Sequence, residues 1–192
     1  VTSVRHLPAE ARIARAWRNG GGVTRDVALF PEGAGDEDFL WRASIATIAA
    51  DGPFSPWPGV DRALMLLHGK LTLAVGDDER DLEAGDPAQA FAGEEAVSAR
   101  PCGGACIVLN LMARRGDARI MLERWTTGRL SKADQLLLLA ESATTIGLNG
   151  QSINLAAEDA LLLTPKEVTG LTFDHPVIVA EIFSGAEQFA QI

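Results

Sequence analysis

Apolar residues along this chain come in short runs, and polar punctuation separates them. Residues 40–48 set apolar positions against Arg42, Ser44 and Thr47, the imperfect alternation of a half-buried strand. Runs at 63–67, 71–75, 81–83, 88–91, 106–112 and 120–125 follow, divided by turn signals such as Gly76-Asp77-Asp78 and Gly85-Asp86-Pro87. Many short strands at this spacing predict a sandwich or barrel and not a βαβ sheet. Helical signals are confined to residues 8–15 and 131–134, each enough for a short turn.

Comparing the two halves of the chain brings out a repeat. Arg62-Ala63-Leu64-Met65-Leu66-Leu67 lines up with Asp134-Gln135-Leu136-Leu137-Leu138-Leu139. After one inserted residue, Asp81-Leu82-Glu83-Ala84-Gly85-Asp86 lines up with Asn154-Leu155-Ala156-Ala157-Glu158-Asp159. Each copy reads as an apolar strand, a second strand, a hairpin at Asp77-Asp78 or Asn149-Gly150, a third strand, and a tight turn ending in an aspartate. Asn-Gly between strand-like runs is among the best short hairpin signals. This is the layout of a double-stranded jelly roll. The expected fold is therefore all-β, a bicupin with two cupin-like β-barrels in one chain. The first half would cover about residues 1–115, N-terminal strands included, and the second about residues 116–192.

Composition narrows the partners. The chain has 192 residues, 47% of them hydrophobic, which suits a globular domain with a real core. A net charge of −9 argues against nucleic acid, whose backbone must be met by cations. Arg12, Arg15, Arg18 and Arg25 form the most basic stretch, at a spacing that suits a solvated face. Residues 1–17 contain no uninterrupted apolar core of a signal peptide, and no apolar run approaches the roughly 20 residues of a membrane helix. A cytoplasmic protein with no membrane partner is expected. Cys102 and Cys106 supply at most half of a zinc site and read as two small residues flanking a turn. Replacing both by Ala is expected to stay within about ±0.5 kcal/mol.

Three blocks carry a more specific signal. Trp17-Arg18-Asn19-Gly20-Gly21-Gly22-Val23-Thr24-Arg25-Asp26 places three glycines between an aromatic-amide pair and a hydroxyl-cation-carboxylate cluster. Phe39-Leu40-Trp41-Arg42-Ala43-Ser44-Ile45-Ala46 leads into Asp51-Gly52-Pro53-Phe54-Ser55, and Pro58-Gly59-Val60-Asp61-Arg62 follows. In residue content, order and spacing these blocks resemble the HutD/Ves family. The likeness covers the first third of the chain and continues beyond it only as strand pattern and length. It implies a bicupin and a link to bacterial histidine utilisation, where HutD members accompany degradation enzymes without an established catalytic step. The Ves branch is tied to stress responses.

Catalytic equipment does not assemble in the sequence. Cupin metal enzymes use an H-x-H pair with a following Glu, whereas His6, His68 and His175 stand far apart here. No metal, no other cofactor and no catalytic residue is expected. Anion-binding groups are present instead. Arg42 and Ser44 share one strand face, because side chains alternate. Arg62 follows the constrained Pro58-Gly59 turn, and an arginine fork matches a carboxylate with two parallel hydrogen bonds. Asn19 and Thr24 flank the glycine loop, and Asn110 is the one strongly polar residue in an apolar run. The expected site is Arg62 with Asn19, Thr24, Arg42, Ser44 and Asn110, the glycine loop passing close to the ligand with its N–H groups. Competing roles stand beside this: Arg42 could pair with Asp51 or Asp61, and Asn110 could satisfy core backbone groups. The expected function is non-catalytic or regulatory binding of a small carboxylate, such as formylglutamate or urocanate. A metal-free enzyme of the same pathway and a protein-interaction module with a vestigial pocket are the alternatives, and a homodimer is compatible with all three.

Overall fold

The computed structural model describes residues 4–17, 20–164, 168 and 170–185. Its strands run in chain order from Val4–Leu7 (β1), Ala14–Ala16 (β2) and Gly22–Phe30 (β3) to Trp41–Ile48 (β4) and Gly52–Pro53 (β5). Val60–His68 (β6), Lys70–Val75 (β7), Asp78–Glu83 (β8), Gln89–Ala92 (β9), Val97–Pro101 (β10) and Cys106–Arg114 (β11) come next. Ala118–Trp125 (β12), Gln135–Ala140 (β13), Thr144–Leu148 (β14), Gln151–Leu155 (β15), Ala160–Leu163 (β16), Leu171–Phe173 (β17) and Val177–Ser184 (β18) complete the set. A 3₁₀ turn, Ala9–Ala11, is the helical element among the described residues. No helix there is long and apolar enough to cross a membrane.

The chain divides into two compact units. One is Ile13–Arg115; the other joins Val1–Arg12 to Gly116–Ile192. In the first, a six-stranded sheet in the order β2-β3-β4-β11-β6-β9 accompanies a four-stranded sheet, β5-β10-β7-β8. In the second, the orders are β1-β16-β13-β18-β12 and β15-β14-β17. Matching β4-β11-β6-β9 to β12-β18-β13-β16 and β10-β7-β8 to β17-β14-β15 recovers the repeat strand for strand. Both units are cupin-type β-structures.

Each core lies between its two sheets. Leu64, Leu66 and Val108 of the first unit's larger sheet join Leu71, Leu73 and Val97 of the smaller one. Leu136, Leu138 and Val179 meet Ile146, Leu155 and Leu171 in the second unit. Fully burying one such side chain contributes about 1.5–3 kcal/mol. The alternation that sends Leu64, Leu66 and Val108 of β6 and β11 inward also sends in Arg62 and Asn110, and on β4 it sends in Arg42 and Ser44, all at even positions.

Several local expectations change. Residues 1–12 leave the first half, because β1 pairs antiparallel with the edge of β16, Val4 across from Leu163. The expected turn at 131–134 is not helical; the Ser131 hydroxyl accepts the Ala133 amide at 3.0 Å and donates to buried Glu181 at 2.5 Å. Arg129 approaches the other Glu181 oxygen at 3.7 Å. The tail of the expected helical stretch at 8–15 belongs to β2, since Ala14–Ala16 extends along β3.

Asp86 and Asp159 do the same work in the two copies. Asp86 accepts the Glu83 amide at 2.8 Å, and Asp159 accepts the Ala156 amide at 3.1 Å. Asp159 also accepts the Ala9 amide at 2.8 Å and lies 3.0 Å from His6 Nε2, so it ties the N-terminal segment to its unit. Burial alone would raise its pKa, but these donors hold it below the usual carboxylate value. Asp159→Ala is expected to cost about 1–2 kcal/mol in denaturant unfolding, the scale of a lost carboxylate cap. A depressed pKa stabilises the fold above the ordinary carboxylate range, and that contribution fades as pH falls through the folded value. The gap between parent and Asp159→Asn should therefore narrow on acidification.

The cysteines also separate. Both are free, Cys102 exposed and Cys106 buried at 0% exposure where β11 enters the core. The expectation that the pair is dispensable thus fails for Cys106, whose sulfur fills core space. Cys102→Ala should unfold with the parent, while Cys106→Ala should lose about 1 kcal/mol, near the mean for a buried change.

Candidate functional site

The site begins with strand register. Arg42 and Arg62 both lie across from Met112, one on each side of β11. One pleat along, Asn110 lies across from Ser44 and Leu64, and Ser44 lies across from Asp26 of β3. These side chains consequently face the same interior and line a cavity of about 590 Å³, within the range of small-molecule sites. Ala46, Ile48, Leu64 and Val108 form its apolar part and merge with the core. Trp17, Phe54 and Trp57 supply aromatic wall. A smaller pocket of about 150 Å³ over β7 and β10 has its arginine, Arg100, paired with Glu79 at 3.4 Å.

Arg62 is the most unusual residue in the cavity. It is 7% exposed, and among the described residues no carboxylate lies within ion-pair distance. Nη2 donates to Asn110 Oδ1 at 3.3 Å and Nη1 to the Ser55 carbonyl at 3.4 Å, both long. Nε is buried with no hydrogen-bond partner among the described residues. The guanidinium carbon lies 5.2 Å from the Phe54 ring centroid and 5.1 Å from that of Phe91, within cation–π range. Burial lowers its pKa to about 10, so it remains charged at neutral pH.

Arg42 is differently placed. Its Nε donates to Asp26 Oδ1 at 2.7 Å and its Nη1 to Asp36 Oδ1 at 2.8 Å. The expected alternatives, Asp51 and Asp61, are not its partners, and Asp61 pairs with Arg115 at 2.8 Å instead. Asp26 faces Arg42 because β3 lies beside β4, and Arg15 of β2 reaches the other Asp26 oxygen. Asn110 satisfies a side chain, Arg62, and not core backbone. Ser44 is 4% exposed on the cavity face. Asn19 lies outside the described residues.

The glycine loop departs from its expected role. Gly20, Gly21 and Gly22 do not line the cavity; they build the β2–β3 hairpin that holds Trp17. Trp17 and Gly22 are joined by an amide-to-carbonyl bond of 2.9 Å, and Gly20, at φ +70°, donates to the Trp17 carbonyl at 3.1 Å. A Cβ on Gly22 would strike the Thr47 carbonyl oxygen and come within 3.1 Å of the Trp17 ring. Thr24 accepts the Trp17 indole N–H at 2.7 Å, so it positions the wall as well as lining the cavity. Trp17 in turn meets Phe54 edge-on, with ring centroids 6.5 Å apart.

Phe54 comes from the Asp-Gly-Pro-Phe-Ser block, whose β5 is pinned to β10. The Phe54 amide donates to Val97 at 2.8 Å, and the Trp57 amide to Gly93 at 2.7 Å. The three sequence blocks therefore converge on one cavity. Sequence reasoning missed Asp26, Asp36, Phe54, Phe91 and Met112; the even-position rule on β11 would have found Met112. His68 ends β6 exposed and away from the cavity. Among the described residues no three His, Cys, Asp or Glu side chains come together as a metal site.

Gly22→Ala should force the hairpin away from the Thr47 carbonyl and crowd Trp17, at a cost of about 1–3 kcal/mol, the usual scale of overpacking. Denaturant unfolding checks the magnitude. Unaltered stability in the variant would show that the hairpin yields without strain.

With this geometry in place, comparison with known proteins is informative. Protein Ves of Cronobacter sakazakii is 40% identical over 119 residues, spanning 59% of this chain and 64% of its own length. The chain thus spans less than two thirds of that relative. An uncharacterized 21.2 kDa protein in the hutC 3′ region of Pseudomonas putida is 34% identical over 175 residues, covering 88% of this chain and 91% of that protein. The structure of HutD from Pseudomonas fluorescens SBW25 superposes with a TM-score of 0.83 at 24% identity, over 95% of this chain and 99% of that one. The HutD family pattern matches residues 9–179. The chain belongs to the HutD family.

Proposed function

We propose that the chain is a non-catalytic or regulatory binder of a small carboxylate, received by Arg62. The observation that carries this reading is a buried guanidinium with no carboxylate partner among the described residues and an unbonded Nε. Keeping an unpaired charge from water costs several kcal/mol, so a fold retains one where a partner from outside completes it. A ligand carboxylate in the guanidinium plane would bond Nε and Nη2 together, the arrangement arginine favours. Nε, which has no hydrogen-bond partner among the described residues, belongs to that edge. With Asn110 Oδ1 turned to Arg62, the Asn110 amide N–H₂ is free to donate to the same ligand, and Ser44 stands beside it. The aromatic and apolar walls suit the carbon body of a metabolite. The hut names of the relatives support an intermediate of histidine degradation, such as formylglutamate or urocanate, as that ligand.

Calorimetric titration with these two acids tests the reading. Arg62→Met should weaken binding by about 1.5–3 kcal/mol, the scale of a hydrogen bond to a charged group. Its ligand-free melting temperature should match or exceed the parent's, because an unpaired buried charge has been removed. Arg62→Lys should restore part of the affinity, since a point charge lacks the bidentate fork. Affinity should also fall as pH rises through about 10, where Arg62 loses its charge. Parent-like binding by Arg62→Met would overturn the proposal, and consumption of the acid during incubation, seen by NMR, would replace binding with catalysis.

A further inference from the structure

Arg42 and Arg62 occupy the same level of the larger sheet, one strand to either side of Met112. Two strand spacings of about 4.8 Å put their Cα atoms on the order of 10 Å apart on one face. Both line the same cavity, yet their counter-charges differ completely. Arg62 has none among the described residues, and Arg42 has two.

Those two acids are held unequally. Asp26 sits on β3, its side chain 24% exposed, and is shared with Arg15. Asp36 belongs to the connection between β3 and β4 and its side chain is 67% exposed. Among the described residues its carboxylate has Arg42 as its one partner. The connection itself has other anchors: Arg114 donates to the Phe39 carbonyl at 2.8 Å and to the Asp36 carbonyl at 3.3 Å. Asp36 could therefore leave Arg42 without the backbone having to move. Asp36 is largely in solvent although Arg42 is mostly buried, so exchanging Asp36 for another carboxylate costs little. Asp26 would stay in place.

Resting on the reading that Arg62 receives a carboxylate, we propose that the cavity takes a dicarboxylate. One carboxylate bonds Arg62, and the second takes the place of Asp36 on Arg42 Nη1. Asp36 is then a stand-in for the ligand's second charge and competes with it. Asp26 keeps Arg42 extended toward the cavity in both states, so the second position is formed before the ligand arrives.

Calorimetry on the full chain with glutarate and pentanoate, which share a chain length and differ in one carboxylate, separates the possibilities. The parent should bind glutarate more tightly than pentanoate. Asp36→Ala should raise glutarate affinity by up to about fivefold, the strength of the lost competitor, and leave pentanoate unchanged. Arg42→Met should bring glutarate down to the level of pentanoate. A fall in glutarate affinity in Asp36→Ala, or an equal rise for both acids, would overturn the proposal, and Asp36 is exposed enough for that variant to fold. If Arg62→Met abolishes pentanoate binding but the parent shows no preference for glutarate, the dicarboxylate proposal fails and the carboxylate reading stands. If Arg62→Met binds both acids like the parent, or the parent binds neither, both fail.

Discussion

A buried guanidinium in cation–π contact with two phenyl rings, with a long hydrogen bond at each terminal nitrogen and none at Nε among the described residues, shapes everything around it. Such a group is unstable by itself in a core. It persists because the surrounding β-structure fixes it more strongly than its unmet charge repels it. The cation–π contacts offset part of the desolvation, roughly 0.5–2 kcal/mol each. Register supplies the rest: Arg62 lies on a strand paired on both sides, with β11 and with β9. Leaving the cavity would mean moving β6 and the Leu64–Leu66 core with it.

The remaining parts of the site are consequences of holding Phe54 against that guanidinium. Phe54 needs β5 tied to β10 behind it and Trp17 at its edge. Trp17 needs a neighbour with no side chain, which Gly22 provides, and a hydroxyl for its indole, which Thr24 provides. A similar close approach recurs at Gly93, where a Cβ would overlap the Trp57 carbonyl oxygen. Segments far apart in the chain are thus linked by packing, ring to ring and ring to backbone.

This explains how much of the protein the sequence displayed. The repeat was visible because Leu64 and Leu66 have counterparts in Leu136 and Leu138 that do the same core-filling work. Strands β3 and β10 were not visible, since Thr24, Asp26, Ser98 and Arg100 break the apolar pattern while the backbone stays paired. Arg42 and Ser44 could be placed on one face from alternation alone, while Arg62 and Asn110 join them only through the strand register. The partners of Arg42 could not, because Asp26 depends on the β3–β4 register and Asp36 on the path of a loop. The glycine triplet reads as ligand-facing in sequence, although Gly22 lies against the Thr47 carbonyl and the Trp17 ring; a through-space contact leaves no mark on local sequence.

The two copies of the fold have resolved their interior charge in opposite ways. Glu181 lies across from Leu136 in the second unit, as Asn110 lies across from Leu64 in the first, so the two are equivalent positions. Where the first unit keeps a buried cation with no carboxylate partner among the described residues, the second has an anion matched by Ser131 and Arg129. Among the described residues, Glu181 is thus matched from within its own unit. On the proposed reading, a ligand at Arg62 would bind once per chain despite the duplicated architecture. One copy could diversify around a ligand while the other remained a scaffold.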